Sequence, residues 1–305
     1  MRVDAVFEGG GIKGLAFLGA VEVLEDAGYK WERLAGTSAG SIIATLLATG
    51  MNARDMKGAL LSFPFEQLEI EGGMNRIPYL GPYLSVSLYN GIYSLDILQE
   101  WLQKQLRRIG KITFGDLPEG KLKIIVTDIT RNKMCILPDD LPSYGVNPAL
   151  FPLAKAVRMS CSVPFIFRPT KLNGSIMMDG GVLSNYPIWI FDSKERPRWP
   201  TFGFRLSGIK AIAQPKKIKG PIRLSAAIIR TMLESQDNFS IDEHSTARTI
   251  TIKGIPFSST QFTISAEEKE KLIQLGRDSA LNFLIHWNFE QYISVFRPIC
   301  KDTKA

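Results

Sequence analysis

Ser38 stands in Gly36-Thr37-Ser38-Ala39-Gly40, a G-x-S-x-G run whose positions two before and two after the serine carry no side chain. That spacing suits a nucleophile on a sharp strand-to-helix turn. The small neighbours let the backbone fold tightly, the hydroxyl stays accessible, and the following helix aims its positive end at developing negative charge. The chemistry on offer is covalent attack on a carbonyl. A second run, Gly9-Gly10-Gly11-Ile12-Lys13-Gly14, can bring backbone N–H groups close to a substrate oxygen, as an oxyanion hole requires. Gly9, Gly11 and Gly14 equally satisfy G-x-G-x-x-G after a strand, with Glu32 near the place of a ribose-binding acid, so a dinucleotide site competes for this motif. The third run, Met178-Asp179-Gly180-Gly181, ends an apolar stretch on an acid and enters a turn. Asp-Gly turns are common, so it gains meaning only beside the other two. For a Ser-His-Asp triad the chain has two histidines, His244 in a polar stretch and His286 between Ile285 and Trp287. The order Ser38, Asp179, His286 leaves that triad open.

These residues need a rigid frame. The apolar run 3–7, stopped by glycines, predicts a buried strand, and apolar positions at helical spacing over 13–27 predict a helix ended by Gly28. A second strand should lead into the serine turn, with an apolar helix over 41–48 behind it. This β-turn-α-β-turn-α opening predicts an α/β fold with a parallel or mixed sheet covered by helices. Further strands are expected at 123–128, 175–178, 201–206 and 249–253, and helices at 94–108, 148–159, 222–239 and 266–286. One strand fits before residue 30, which speaks against an α/β-hydrolase, where several precede the serine. The stretch 62–94, rich in Phe, Tyr, Pro and Gly, predicts an irregular excursion: a mobile apolar cover, a membrane-touching surface, or a packed excursion serving the core. Because the motif residues fall at 9–40 and 160–181, one catalytic domain over 1–305 is the simpler organisation.

The 305 residues, 45% apolar and 22% charged, can bury a substantial core. The first residues lack a signal-peptide pattern and no apolar stretch approaches a membrane span, so a cytoplasmic protein is expected. Cys135, Cys161 and Cys300 are few and far apart, and are expected to be reduced and buried, with no metal site. The net charge of +7 is densest over 210–223, around Pro215-Lys216-Lys217-Ile218-Lys219. Such a surplus favours peripheral contact with an anionic membrane surface; a solvated loop is the plainer alternative.

Taken together, in this order, Gly9–Gly14, Gly36–Gly40 and Asp179–Gly181 resemble the patatin-like phospholipases, whose marks are G-G-G-x-[RK]-G, G-x-S-x-G and D-G-[GA]. The segment 156–164, ending Ser160-Cys161-Ser162-Val163-Pro164, is similar to the family's small-residue segment before the acid, with Ser162 and Val163 as departures. The resemblance covers about residues 3–190. It implies a three-layer α/β/α fold with a central, mostly parallel sheet, and a serine acyl hydrolase of phospholipids or other acyl lipids. By that resemblance Ser38 is the nucleophile and Asp179 the general base. The N–H groups of Gly10, Gly11 and Ile12 form the oxyanion hole. Gly9, Lys13, Gly14, Gly36, Gly40, Gly180 and Gly181 support the motifs. No cofactor, metal or nucleic acid is expected. Lys13 matches the family's basic position, and its local sequence suits a solvated first-turn lysine equally well. A catalytically silent lipid-binding protein on the same fold is the alternative from another class.

Overall fold

The computed structural model describes residues 1–69, 80–193, 195–208, 242–256 and 263–296, with isolated positions between 218 and 232. Strand β1 (Arg2–Phe7) shows why a sheet forms at the centre. Its side chains alternate, so Val3, Ala5 and Phe7 enter the main core, while Val6 joins a smaller cluster with Ala35, Ile188 and Phe191 on the opposite face. A strand buried on both faces belongs in the middle of a parallel sheet. β1 indeed pairs in parallel with β2 (Lys30–Thr37) on one side and β9 (Thr201–Gly208) on the other.

The eight-stranded sheet runs β10 (Thr249–Ile255), β9, β1, β2, β4 (Leu122–Asp128), β8 (Ser175–Asp179), β7 (Thr170–Leu172), with β5 (Lys133–Leu137) also on β4. The first five strands are parallel, and β5, β7 and β8 pair antiparallel. β3 (Gly91–Tyr93) and β6 (Phe165–Phe167) form a separate parallel pair. Helices flank the sheet, giving the layered, mostly parallel α/β architecture expected. Among them are α1 (Ala16–Asp26), α2 (Ala39–Ala48), α3 (Ala53–Leu61), α4 (Leu80–Tyr89), α5 (Asp96–Ile109) and α6 (Leu153–Ser160). Near the C-terminus follow α7 (Glu243–Ala247), α8 (Ala266–His286) and α9 (Phe289–Phe296). No described helix is long and apolar enough to cross a membrane.

The helix behind the first glycine run is fixed by a close crossing. A Cβ on Gly19 of α1 would lie 1.9 Å from the Ile273 carbonyl oxygen, and one on Gly276 of α8 would lie 1.8 Å from that of Ala16. The two glycines let the helix axes approach beyond what larger residues allow, and α8 starts at a capping box between Ser265 and Glu268.

Several expectations shift at their edges. The helix expected over 13–27 begins as a 3₁₀ turn, Gly11–Leu15, before α1. The helix expected over 148–159 is divided at Pro152, whose ring prevents continuation: Pro148–Leu150 is a 3₁₀ turn and α6 starts at Leu153. Helix α3 and the antiparallel strands β5 and β7 were not foreseen. Most of the helix expected over 222–239 and most of the basic run 210–223 lie outside the described residues, as do Cys300 and residues 70–79 of the aromatic excursion.

One feature of the register positions the chemistry. β2 pairs with β4 as far as Thr37, opposite Ile125, and β8 pairs with β4 from Asp179, opposite Val126. Because β5 occupies the other edge of β4 over Ile124–Asp128, β2 and β8 must share one edge, end to end. The next β4 position after Thr37's partner is taken by Asp179. β2 therefore has to leave the sheet at Ser38, and the two strands meet head-on there.

Candidate active site

At this seam Ser38 adopts φ 50° and ψ −125°, a left-handed conformation that costs a non-glycine residue about 1–3 kcal/mol and persists only where its surroundings enforce it. The glycines on either side provide the space. A Cβ at Gly36 would sit 2.4 Å from the Gly40 backbone, and one at Gly40 would sit 2.4 Å from the Phe7 carbonyl oxygen. The turn thus folds onto itself and onto the end of β1, and α2 starts immediately after the serine.

Asp179 ends β8 and is 1% exposed. Its Oδ1 accepts the Gly181 N–H at 2.7 Å, while Oδ2 makes no hydrogen bond of ordinary length. Burial pushes the carboxyl up to about 7; the Ser38 hydroxyl and the Gly181 N–H act the other way, favouring the ionised form. Gly180 and Gly181 open the 3₁₀ turn that carries the chain away from the strand.

Gly9, Gly10, Gly11 and Ile12 line the same cavity as Ser38 and Asp179. Gly11 has φ +56°, and it and Ile12 begin a 3₁₀ helix, where N–H groups lack an intrahelical acceptor. Gly14 packs against Ala39 at the start of α2. Lys13 corrects one local reading: it is 4% exposed, so it is a buried residue and no solvated first-turn lysine.

The cavity has a volume of about 90 Å³, and apart from Asn185 its remaining walls are apolar, including Ile42, Phe63, Phe65, Leu98 and Phe167. Phe63, Phe65 and Leu68 of the aromatic excursion therefore form a packed wall, with the Phe63 ring tilted against Trp101 at 5.0 Å, rather than a loose flap. Cys161 lines the cavity too; burial pushes its thiol pKa well up, and with Cys135 it is a free, buried thiol as expected.

The competing arrangements do not assemble. Glu32 lies near the start of β2, roughly 20 Å along the strand from the glycine loop, where it pairs with Arg2 at 3.2 Å. A ribose-binding acid would have to stand at the opposite end of that strand. Neither histidine lines the cavity: His244 stacks on Tyr292 of α9, and His286 is exposed at the end of α8.

Three supporting residues escaped the sequence reading. Asn185 brackets the glycine loop, its carbonyl accepting the Gly9 N–H at 3.1 Å and its Nδ2 donating to the Gly9 carbonyl at 3.3 Å. Glu8, fully buried, accepts the Leu206 N–H at 2.5 Å, and Leu206 abuts Gly10. Ser160 accepts the Ser38 N–H at 2.9 Å and donates to the Ile125 carbonyl at 2.6 Å. Ser160 stood inside the recognised segment 156–164, whereas nothing local marked Asn185 or Glu8.

Several known proteins are similar to this chain in sequence or fold. A family model described as patatin-like phospholipase matches residues 5–192. The uncharacterised protein YqhO of Bacillus subtilis is 38% identical over 294 residues, covering 95% of this chain and all of that protein. A probable lipid hydrolase, 463L of Invertebrate iridescent virus 6, is 30% identical over 189 residues, covering 60% of this chain and 61% of that one. Among solved structures, VipD of Legionella pneumophila superposes with a TM-score of 0.54 at 19% identity, over 92% of this chain and 66% of VipD. The type III effector ExoU gives 0.51 at 17%, over 95% of this chain and 53% of ExoU. Such low identities speak to the fold alone, which they share. The family model spans well over half of the sequence and includes all three glycine motifs, and on that match the chain belongs to the patatin-like phospholipase family.

Proposed function

We propose that the protein is a serine lipid acyl hydrolase that cleaves fatty-acyl ester bonds of phospholipids or related lipids through a Ser38–Asp179 dyad. Family membership points to lipid hydrolysis; the residue roles come from the site. The observation that carries the reading is the buried Asp179 carboxyl, with one oxygen held by the Gly181 N–H and the Ser38 hydroxyl favouring its ionised form, at the seam where Ser38 leaves the sheet inside a largely apolar cavity. A carboxyl poised near neutrality is suited to take and return a proton at physiological pH.

In the proposed cycle, ionised Asp179 takes the Ser38 proton as Oγ attacks the ester carbonyl. The carbonyl oxygen becomes an oxyanion, held by N–H groups of Gly10, Gly11 and Ile12. Collapse expels the alcohol, which leaves with the proton from Asp179, and Ser38 carries the acyl group. Water then attacks the acyl-enzyme, giving its proton to Asp179, and release of the fatty acid returns that proton to Ser38. The apolar walls suit an acyl chain and limit competing water. We further propose one catalytic domain, because β9 and β10 complete the same sheet as β1.

Ser38→Ala tests the nucleophile. It should abolish hydrolysis of short-chain nitrophenyl esters while shifting stability by less than about 1 kcal/mol, since the hydroxyl contributes little packing. Turnover at the wild-type rate by a folded Ser38→Ala protein would remove the serine from the mechanism.

The proposed substrate sits in bilayers, and peripheral contact with an anionic membrane is part of this reading. Leu224, Ile228 and Met232, spaced four apart, are 50%, 50% and 40% exposed, and they follow the basic run in sequence. Vesicle binding should rise with anionic lipid and weaken with salt. Equal association with neutral and anionic vesicles at low salt would exclude the electrostatic contribution.

A further inference from the structure

We propose that Ser160 is a positioning residue that holds the nucleophile turn open by standing in for one rung of the β-ladder. This inference rests on Ser38 being the nucleophile. The β2–β4 ladder has a definite phase: the Leu34 N–H donates to the Lys121 carbonyl at 2.8 Å, with Leu34 opposite Leu122. Parallel ladders repeat every two residues, so the following donors are Gly36 to Lys123 and then Ser38 to Ile125. That last bond is absent. The Ser160 hydroxyl lies between the two groups, accepting the Ser38 N–H at 2.9 Å and donating to the Ile125 carbonyl at 2.6 Å.

The insertion answers a physical problem. A strand that turns out of a sheet at a buried site leaves one N–H and one C=O without partners, at about 1–3 kcal/mol each. Satisfied directly, they would draw Ser38 back towards β4 and flatten the turn. A single hydroxyl spaces them apart and satisfies both. Ser160 is fully buried at the end of α6, so solvent does not compete for either bond. Two residues on, the Ser162 carbonyl accepts the Asp179 N–H at 3.0 Å. One short segment thereby registers both strand ends, and with them the separation between Ser38 Oγ and the Asp179 carboxyl. Ser160 itself touches no reacting atom.

Three variants test this with steady-state ester hydrolysis, fluorophosphonate labelling and thermal melting. Ser160→Ala should lower kcat at least tenfold with KM changed less than threefold, and slow labelling in parallel. It should also move the acid limb of the pH profile upwards, because a displaced Ser38 hydroxyl no longer favours the ionised form of Asp179. Ser160→Thr, which keeps the oxygen, should recover most of kcat. Ser85→Ala removes a comparably buried hydroxyl, donated to the Gly91 carbonyl at 2.8 Å, and should leave kcat of the folded protein unchanged. A folded Ser160→Ala with more than half of wild-type kcat would overturn the proposal, as would an unmoved acid limb. If Ser160→Thr fails to fold, a crystal structure of Ser160→Ala decides: a direct Ser38 N–H to Ile125 bond or a displaced Ser38 supports the role, and an unchanged turn refutes it. Wild-type turnover by Ser38→Ala would instead mark failure of the underlying functional reading.

Discussion

Asp179→Asn is expected to lose about 10²–10⁴-fold in kcat and yet to be more stable than the wild type at pH 8. Asparagine keeps the size of the acid and can still accept the Gly181 N–H, but it cannot take a proton from Ser38. The stability gain follows from linkage. Burial raises the folded-state pKa of Asp179 from 3.8 to about 7, so the folded protein binds this proton more tightly than the unfolded chain. The stabilising contribution of the protonated acid is complete below about pH 4 and is lost as pH rises through 7. At pH 8 the buried charge opposes folding by up to about 4 kcal/mol, which the neutral amide removes. Melting temperatures of the two proteins should therefore diverge between pH 4 and pH 8, with the variant higher at pH 8. For the wild type, kcat/KM should fall below about pH 7, where the base becomes protonated. A histidine base would give a similar limb, so the contrast comes from replacing His244 and His286 together by glutamine. That variant should keep at least about a third of activity, because general-base catalysis is assigned to the acid. Its inactivation with fold intact would favour a triad.

Gly11→Val is expected to reduce kcat about 10²–10³-fold, the usual effect of losing one oxyanion donor, with a smaller change in lipid binding. Two features combine there. Gly11 has φ +56°, which a β-branched residue adopts only under strain, so the donor N–H should rotate away from the cavity. The new side chain would also crowd the approach of an ester carbonyl. Gly10 differs, being extended at φ 178°, and a Cβ there would press on the movable end of Leu206. Gly10→Ala should accordingly be the milder variant. Comparable kcat losses in the two, measured on folded proteins, would mean that loop crowding rather than donor geometry governs the effect.

What the sequence showed clearly is what local backbone geometry dictates. Gly36, Ser38 and Gly40 were legible because a left-handed serine between a strand and a helix tolerates few neighbours at those spacings. The strands at 175–179 and 249–255 and the helix Ala266–His286 were legible from apolar patterning and end signals. What stayed hidden depends on contacts between distant segments. Ser160 acts across a sheet seam that exists only once β2 and β8 share an edge of β4. Asn185 brackets Gly9 from 176 residues away. Lys13 and Glu8 carry charged side chains that composition alone places at the surface, yet both are buried beside the glycine loop. The dinucleotide reading fitted the glycine spacing and failed on strand direction, since Glu32 sits at the wrong end of β2.

Fluorophosphonate labelling with mass mapping of the modified peptide tests the central claim most directly. Such a probe reacts with an activated serine and leaves its phosphorus on the nucleophilic oxygen. The proposed dyad predicts a single label per chain, on Ser38, absent from Ser38→Ala. Labelling should slow about tenfold for each pH unit below 7 as Asp179 takes up its proton, and should be nearly abolished in Asp179→Asn. A label on any other residue, or labelling of Asp179→Asn at the wild-type rate, would contradict it.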